Sequence, residues 1–545
     1  MAVSQSTAGL FLSALVFTIL WVNIARRNRR HQHSHGLANL PSPEAKSWWK
    51  GNFDQALNPK AWDFHMRLLK EYAPVVRLDA FLGDKQLIVF DPKAMHHILV
   101  KDQAMYDKPK STFSGGVLIF GKGLVTIQGE AHRKQRRALN PVFSIAHMRN
   151  MLPIFYDVVH KVSITLIHEL RFPTHDLVSG IRNQLEDGLS SKFKDENAPQ
   201  EIEILSWMSR TALELVGQAG LGYSFDDLAD DSGAHPYTGI LKQLVTTLGR
   251  MWFIRSYIVN FAVKIGSPSF RRWVLDRLPW KGGHRLRDMS DYMWELSKQI
   301  HEGKKRALAG GDEAVARQVG KGKDIMSILM RLNMEEGSQS QLDEDEVLGQ
   351  MSSLIFAAMD TTSSALARVL HILSTRLDVQ GKLRQEILEA RKKCGDQDIP
   401  YDELVSLPYL DAVCRETLRL YPPVPYVFRV ATQDMILPLS NPVTGIDGTS
   451  ISEIHIPNKT AVTVSIINSN RNPVIWGPDA LEWKPERWLS PLPDELIEAH
   501  IPGVYSHLMT FNAGSRSCIG FKFSQLEMND SSIYLPNSTV YRPEK

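Results

Sequence analysis

The clearest periodic pattern of apolar positions lies between Leu342 and Leu377. Apolar residues recur there at the three- and four-residue intervals typical of one helix face, and these positions are Val347, Met351, Leu354, Ile355 and Ala358. We therefore predict one long helix across this segment. A polar cluster, Asp360-Thr361-Thr362, interrupts its apolar character and marks a candidate site for chemistry.

A second helix is predicted from Pro408 to Leu420, with Ser406 as a candidate cap and Pro422-Pro423 as its stop. Three other segments are rich in β-branched and aromatic residues, as strands are. They are residues 75–78, 86–90 and 460–466, and the first two are predicted to form a hairpin.

The N-terminus contains an uncharged apolar run, residues 9–25, followed at once by four arginines within residues 26–30. A run of this length is at the short end of a membrane span. A cleaved signal peptide is the alternative, but its positive charge would precede the apolar run. We predict a short lumenal N-terminus at 1–8, a transmembrane signal anchor at 9–25, a basic and proline-containing linker at 26–44, and one cytosolic domain at 45–545.

Composition excludes several classes of function. A net charge of +3 and a single short basic run, residues 133–137, argue against nucleic-acid binding. The three cysteines are widely spaced, which argues against a disulfide framework and a CxxC zinc site. The sequence motifs of serine hydrolases, zinc proteases and phosphate-binding loops do not occur. No composition break divides the chain, and residues 308–323 are predicted to be a flexible loop.

Residues 511–520, FNAGSRSCIG, place Cys518 in a loop that suits a metal-bound thiolate. Gly514 and Gly520 permit close backbone approaches, which N–H groups need in order to point at a sulfur. Phe511 can shield the sulfur from water, and Arg516 can pair with an anionic group. The alternative is a surface loop with a buried free cysteine.

This loop resembles the haem-ligand loop of the cytochrome P-450 family, and the resemblance extends from about Pro41 to Met528. It implies a mainly α fold with a smaller β region (α+β) and a haem b whose axial ligand is the Cys518 thiolate. Such a ligand favours O–O bond cleavage. The sequence is most similar to fungal microsomal members of the family, which implies that the protein is located at the endoplasmic reticulum membrane.

The cluster within residues 357–363 resembles the oxygen-binding helix motif of this family, with Ala358 where glycine is usual. Cleavage of dioxygen consumes protons, so Asp360 would relay them and Thr361 would hold a water by its hydroxyl. Two plain alternatives exist: Thr361 bonds the preceding turn, or Asp360 caps a helix that begins at Thr361.

Glu416 and Arg419 are three residues apart on the predicted helix and can pair. They match the E-x-x-R motif of the family, and Lys484-Pro-Glu-Arg-Trp488 resembles its P-E-R-(F/W) motif. The resemblance implies that Arg487 joins the pair as a structural lock. A pair of this kind taken alone is also common on solvated helix faces.

The haem propionates need cationic or hydrogen-bonding partners. His132 and Arg136 stand at the tryptophan and arginine positions of the family's W-x-x-x-R helix, and Arg429 resembles its propionate-binding arginine. The alternative for His132 is a solvated basic helix face. Lys134, Arg137 and Lys522 are candidates for a basic patch that receives an acidic electron donor.

The resemblance predicts a monooxygenase that receives electrons from NADPH–cytochrome P-450 reductase, and from cytochrome b5 in some members. Residues 251–265 are apolar and aromatic, and they form either a substrate-access element at the membrane or a buried core helix. The substrate is predicted to be a lipophilic small molecule.

The sequence after Cys518 departs from the family pattern. Residues 521–528 begin a helix, but Asn529-Asp-Ser-Ser532 are poor helix formers. We therefore expect the helix to stop near Met528 and the domain to be incomplete at its C-terminal end. This feature motivates a rival hypothesis, a non-catalytic or poorly folded member of the family.

Overall fold

Helices make up most of the computed structural model, which describes residues 35–56, 58, 60–170, 203–228, 235–251, 254–334 and 341–538. In the described part of the chain they are α1 His35–Ala38, α2 Phe53–Ala56, α3 Trp62–Glu71, α4 Pro92–His96, α5 Lys110–Phe120, α6 Gly129–Leu139, α7 Ile145–Leu170, α8 Ile204–Leu215, α9 Pro236–Arg250, α10 Asn260–Ala262, α11 Pro268–Arg277, α12 Lys281–Ala309, α13 Asp312–Ala316, α14 Ile325–Met334, α15 Glu344–Thr375, α16 Leu377–Lys393, α17 Tyr401–Leu404, α18 Pro408–Leu420, α19 Ile466–Ser469, α20 Pro473–Trp476, α21 Asp494–Glu498 and α22 Phe521–Ser538.

The strands form two small sheets. They are β1 Val75–Asp79, β2 Lys85–Val89, β3 Tyr106–Asp107, β4 Tyr426–Ala431, β5 Met435–Thr444, β6 Ser450–Ile456 and β7 Ala461–Ser465. One sheet has the order β1-β2-β7-β4-β3, and β5 pairs with β6 in the other. The predicted hairpin is confirmed, since β1 and β2 pair antiparallel with Val75 opposite Val89. The predicted fold class, mainly α with a smaller β region, is confirmed as well.

Helix α15 runs through the centre of the core. A capping box begins it: the Asp343 carboxylate accepts from the Glu346 N–H, and Glu346 accepts from the Asp343 N–H. It packs against α8, α12, α18 and α22, so most of its apolar residues are buried. The predicted long helix is therefore confirmed, and its middle is held rigidly between neighbouring elements.

Two further segments differ from their predictions. Residues 308–323 contain α13 and a 3₁₀ turn, Val319–Gly322, where a flexible loop was expected. Where burial is described within residues 251–265, Met251 is buried and the other residues are partly or fully exposed, Phe261 and Ile265 among them. A buried core helix over the whole segment is therefore not what the described residues form.

Helix α22 continues to Ser538, so the prediction that it stops near Met528 is wrong. It packs against α7, α15, α16 and α18. Because it is surrounded by other helices, tertiary packing outweighs the poor helix propensity of Asn529 to Ser532.

The predicted lumenal segment 1–8 and anchor 9–25 lie outside the described residues. Across the residues that the structure does describe, no helix has the length and apolar character to cross a bilayer. The end of the predicted linker is described, and Leu37 and Leu40 are fully buried in the main core.

Candidate active site

The loop that carries Cys518 is closed by its own hydrogen bonds. The Cys518 N–H donates to the Phe511 carbonyl at 2.9 Å, and the Asn512 side chain donates to the Arg516 carbonyl at 3.1 Å. Gly514 has a φ of 65°, and a Cβ there would lie 2.0 Å from the Leu99 carbonyl oxygen. Only glycine therefore fits at this position. The nearest protein atom to a Cβ at Gly520 would be 4.0 Å away, so protein contacts do not require glycine there.

Cys518 is surrounded by many protein atoms, yet the residue is accessible, and it lines a cavity. Burial raises the pKa of the thiol, while the Gly520 N–H and the Arg136 guanidinium act in the opposite direction. Arg136 also donates to the Ser517 carbonyl at 2.8 Å, which ties α6 to the cysteine loop. A metal bound to the sulfur would displace the proton outright.

The cysteine loop and the middle of α15 line the same cavity. Phe511 and Cys518 belong to the loop, and Ala357, Ala358 and Thr361 belong to α15. Most of its surface is apolar. The Phe511 ring is buried against Tyr505 and Phe521, with ring centroids 5.6 and 4.9 Å away. A ligand in this apolar cavity would therefore be within reach of one thiol and one hydroxyl.

The two candidate catalytic residues occupy different positions. Thr361 lines the cavity, and its hydroxyl donates to the Ala357 carbonyl at 2.7 Å. Asp360 is half-buried and does not line the cavity; burial raises its carboxyl pKa, and Lys242 of α9 opposes the shift. Because α15 is continuous, Asp360 is not the cap of a helix that begins at Thr361, and that alternative is wrong.

Basic side chains cluster at one edge of the cavity. His132 and Arg516 line it, and Arg429 lies nearby on β4, buried. Arg516 donates to the Ile127 carbonyl at 3.0 Å. Burial and neighbouring cations lower the pKa of His132 to about 3, so the imidazole is neutral and available as a hydrogen-bond donor.

Lys108 is a member of this basic cluster that the sequence analysis missed. It lines the cavity, and its ammonium group donates to the Val125 carbonyl at 3.2 Å. Burial, Arg516 and Arg429 together lower its pKa to about 7. Lys108 belongs to no local motif, and only the folded chain brings it beside Arg516.

The predicted lock forms near the C-terminal end of α18. Arg419 donates two hydrogen bonds of 2.8 Å to the Glu416 carboxylate, and both residues are fully buried. Arg487 lies 3.5 Å from the same carboxylate but only 2.8 Å from Asp479. The Trp488 indole adds a further bond to Glu416 at 3.0 Å. Asp479 is thus a fourth member that the sequence analysis did not name.

The predicted Ser406 cap of α18 is wrong. The Ser406 hydroxyl donates to the Glu403 carbonyl, and Leu407 precedes the helix. The Glu386 carboxylate of α16 instead accepts from the Tyr409 and Leu410 N–H groups, each at 2.8 Å. A negative side chain from another helix therefore stabilises this N-terminus.

The sequence profile of the cytochrome P450 family matches residues 41–530. The chain belongs to this family. Cytochrome P450 monooxygenase 91 of Postia placenta is 50% identical over 94% of this chain and 89% of its own length. A ganoderic acid synthetase of Ganoderma lucidum is 45% identical over 93% of this chain and 89% of its own length. The protein is therefore a monooxygenase, an oxidoreductase that incorporates oxygen from O₂.

The residues of this cytochrome P450 fit the haem–thiolate group that the family implies. Cys518 offers a sulfur at the wall of an apolar cavity, and the basic cluster at its edge suits the two propionates. Burial is the main cause that lowers the pKa of Lys108, Arg429 and Arg516, and repulsion from Arg516 adds to the shift of the first two. Asp107 opposes the shifts of the two arginines. An anionic ligand would relieve this repulsion.

The predicted basic patch is reduced in the structure. The Lys134 ammonium group lies 2.9 Å from the Glu346 carboxylate of α15, so its charge is neutralised within the protein. Arg137 is exposed, and the Lys522 ammonium group donates to Gln525 at 3.4 Å. Of the three residues, Arg137 is the one with an exposed side chain.

Proposed function

We propose that this P450 inserts one oxygen atom of O₂ into an apolar organic substrate. The second oxygen atom is reduced to water, and this reduction consumes two protons and two electrons. NADPH would supply the electrons through a separate cytochrome P-450 reductase, with cytochrome b5 as a second donor. The observation that carries the proposal is that Cys518 and Thr361 both line one apolar cavity.

The roles of the binding residues follow from their positions. The Cys518 thiolate would hold the iron of haem b, which activates dioxygen when bound. Lys108, His132, Arg429 and Arg516 would bind the propionates. Arg136 would favour the thiolate and hold the loop through the Ser517 carbonyl.

Proton supply would come from the α15 side. The Thr361 hydroxyl lines the cavity and can hold a water there, while Asp360 lies one residue away with a raised pKa. A carboxyl group titrating closer to neutrality is better suited to pass on protons. Asp360 would therefore relay protons towards Thr361 by way of ordered water.

A spectroscopic experiment tests the haem assignment. The reduced protein under carbon monoxide should show the red-shifted Soret band of a thiolate ligand, and Cys518→Ala should lose it. Cys394→Ala is the matched control, because Cys394 lies outside the cavity lining. A protein that takes up no haem when haem is abundant would refute the proposal.

The substrate is proposed to be a lipophilic secondary metabolite, since one relative is a ganoderic acid synthetase. Substrate-induced change of the haem spin state would identify binders in a panel of such compounds. Incubation with ¹⁸O₂ should then place a single labelled oxygen atom in the product. Label from water instead of O₂ would contradict a monooxygenase reaction.

We further propose a single-pass anchor at residues 9–25 in the endoplasmic reticulum membrane, with the domain in the cytosol. Four exposed apolar side chains support contact with a bilayer: Phe261, Ile265, Phe270 and Trp273. Membrane fractionation after removal of residues 1–30 tests the anchor. Glycan attached at Asn458 would contradict the cytosolic orientation.

A second candidate function is a non-catalytic family member. The observation that favours it is the buried polar run in α22, where the side chains of Asn529, Asp530 and Ser531 have no hydrogen-bond partner among the described residues. If this run prevents stable docking of α22, purified protein would contain little haem. Haem occupancy near one per chain would exclude this candidate.

A further inference from the structure

Glu527 and Asp530 are two carboxylic acids buried in the core of the protein. Both belong to α22, and neither residue has any surface exposed to solvent. None of their carboxyl oxygens has a hydrogen-bond partner of good geometry among the described residues. A buried carboxylate in this state is very unfavourable, so the group holds a proton instead.

The surroundings of the two acids favour the protonated form. Burial raises the pKa of each carboxyl well above its usual range. Asp530 adds to the shift of Glu527, and Asp398 adds to the shift of Asp530. The titratable neighbour from α18, the Cys414 thiol, faces Ser532 of α22. At neutral pH both acids are therefore uncharged, and each has one proton to donate.

The inner acid of the pair adjoins the cavity. The Glu527 carboxyl faces the Thr362 side chain of α15, and Thr362 lines the cavity beside Thr361. Met528, the residue next to Glu527, lines the same cavity. Helix α22 packs directly against α15, so this contact lies within the core. A single hydroxyl group therefore stands between the inner acid and the cavity.

The outer acid of the pair is connected to the surface. Asp530 lies three residues after Glu527, so the two side chains share one helix face. The neighbour that acts on Asp530, Asp398, is 42% exposed and lies 3.1 Å from the His160 Nε2 of α7. Because both members of this surface pair are partly exposed, they exchange protons with solvent directly. A row of titratable groups thus leads from the surface towards the cavity.

We propose that Asp530 and Glu527 form a second proton-entry route to the cavity, separate from the route through Asp360. The inference rests on the proposed monooxygenase function, because that reaction consumes protons in the cavity. It assigns the buried acids of α22 as relay residues for this supply.

Each transfer along the route restores both acids. The O–H bond of Glu527 breaks as its proton passes towards the Thr362 hydroxyl, and the proton of Asp530 then replaces it. Asp530 regains a proton from solvent by way of Asp398. No electron moves in these steps, and two transfers supply the two protons that the formation of one water consumes.

Infrared spectroscopy tests the connection without substrate or turnover. A protonated carboxyl has a C=O band separate from those of ionised carboxylates, and the band shifts when deuterium replaces the proton. Glu527→Gln and Asp530→Asn should each remove one such band, which assigns the two bands. After transfer to D₂O, the Glu527 band should shift about 100-fold more slowly in Asp530→Asn than in the wild type. Glu527→Gln should leave the exchange rate of Asp530 unchanged, because Asp530 is the outer acid.

Glu389→Gln is the matched control, because Glu389 is an exposed acid on α16, which also packs against α22. It should change neither the two bands nor their exchange rates. Asp398→Asn leaves both buried acids in place and should slow the exchange of both, so the proposal stays testable if Asp530→Asn does not fold. Equal Glu527 exchange rates in the wild type and Asp530→Asn, or the absence of protonated-carboxyl bands, would overturn the inference.

Oxygen consumption with NADPH and saturating cytochrome P-450 reductase tests the function of the route. If the two routes supply protons equally, Asp360→Asn and Glu527→Gln should each lower the rate about twofold, and the double variant about 100-fold or more. Full loss in Asp360→Asn together with an unchanged rate in Glu527→Gln would show a single route and contradict the proposal.

Failure of the proposed function has a separate signature. A wild type without the thiolate Soret band would refute the monooxygenase proposal. The infrared exchange rates do not depend on haem, and they would still decide whether Asp530 connects Glu527 with the surface.

Discussion

Asn529, Asp530 and Ser531 of α22 are buried polar residues whose side-chain atoms have no hydrogen-bond partner in the described chain. Each unpaired buried group of this kind costs about 1–3 kcal/mol. They lie on a helix that packs against α15, so their cost bears directly on the haem-facing core. These unpaired side chains therefore lower the stability of the packing around α22, which the fold class alone does not reveal.

Ser531→Ala should stabilise the protein, because it removes an unpaired hydroxyl without adding volume. We expect the free energy of unfolding in urea to rise by about 1 kcal/mol. Ser267→Ala is the control, since the Ser267 hydroxyl caps α11 by accepting from the Phe270 N–H at 3.2 Å. That change should lower stability by about 1 kcal/mol. A loss of stability in Ser531→Ala would show that the hydroxyl has a partner in solution.

Asp530 should make stability depend on pH. Burial raises its carboxyl pKa well above the usual range, and Asp398 adds to the shift; Glu527 is raised by burial in the same way. A raised folded-state pKa gives stability that is present below the unfolded-state pKa and is lost as pH rises towards the folded value. The unfolding free energy should therefore fall as pH rises above about 4, where the unfolded carboxyl ionises, and should fall less steeply in Asp530→Asn. Identical pH profiles of the two proteins would contradict this account.

At the scale of elements, the lock joins α18 to the 3₁₀ turn Pro485–Leu489. Glu416 accepts from Arg419, the Lys484 N–H and the Trp488 indole, and is fully buried. Asp479 pairs with Arg487 but is partly exposed. The free energy of unfolding should therefore depend more on Glu416 than on Asp479.

Glu416→Gln should destabilise the fold by about 3–5 kcal/mol, because it leaves the buried Arg419 without a counter-charge. Asp479→Asn should cost about 1 kcal/mol, since the partly exposed pair is screened by solvent. Chemical denaturation of the two variants measures the difference. If Asp479→Asn lowered the free energy of unfolding more than Glu416→Gln does, the Asp479–Arg487 pair would be the more important of the two.

A second junction connects α6 and α15 with the loop between α5 and α6. The Gln350 side chain accepts from the Leu124 N–H at 3.1 Å and donates to Gln135 at 2.6 Å. Gln350→Leu should leave both groups unpaired, at about 1–3 kcal/mol each. Faster amide hydrogen exchange in residues 121–126 would be the local signature. Uniformly faster exchange across the protein would instead indicate global destabilisation.

The whole molecule brings Lys108 and Arg516 to one cavity, and Arg429 close to them, from three distant segments. Repulsion of Lys108 by the two arginines lowers the stability of the haem-free protein and is relieved by a dianionic ligand. The same residues therefore favour the loaded state and disfavour the empty one.

Lys108→Met should raise the melting temperature of the haem-free protein and weaken haem binding. The opposite signs follow because the change removes both a repulsive charge and a propionate partner. Haem titration and thermal unfolding of the haem-free form measure the two effects. Lys110→Met is the control, since Lys110 is exposed at the start of α5, and it should change neither quantity. Lower stability of both forms would indicate a purely structural role for Lys108.

Local sequence was enough to predict the long helix α15, the helix α18, the β1–β2 hairpin and the cysteine loop. Each depends on contacts within a few residues: the apolar period of α15, the proline that begins α18, and the hydrogen bond from the Cys518 N–H to the Phe511 carbonyl that closes the loop. The Glu416–Arg419 pair was predictable for the same reason, since three residues separate its members.

Tertiary structure decided the rest. Lys108 joins the basic cluster, and Glu386 caps α18, only because remote segments meet. Helix α22 extends beyond Met528 although its residues have poor helix propensity, because four neighbouring helices enclose it. The physical reason is common to all of these: burial and charge at a site are set by everything packed around it, and the sequence near one residue does not contain that information.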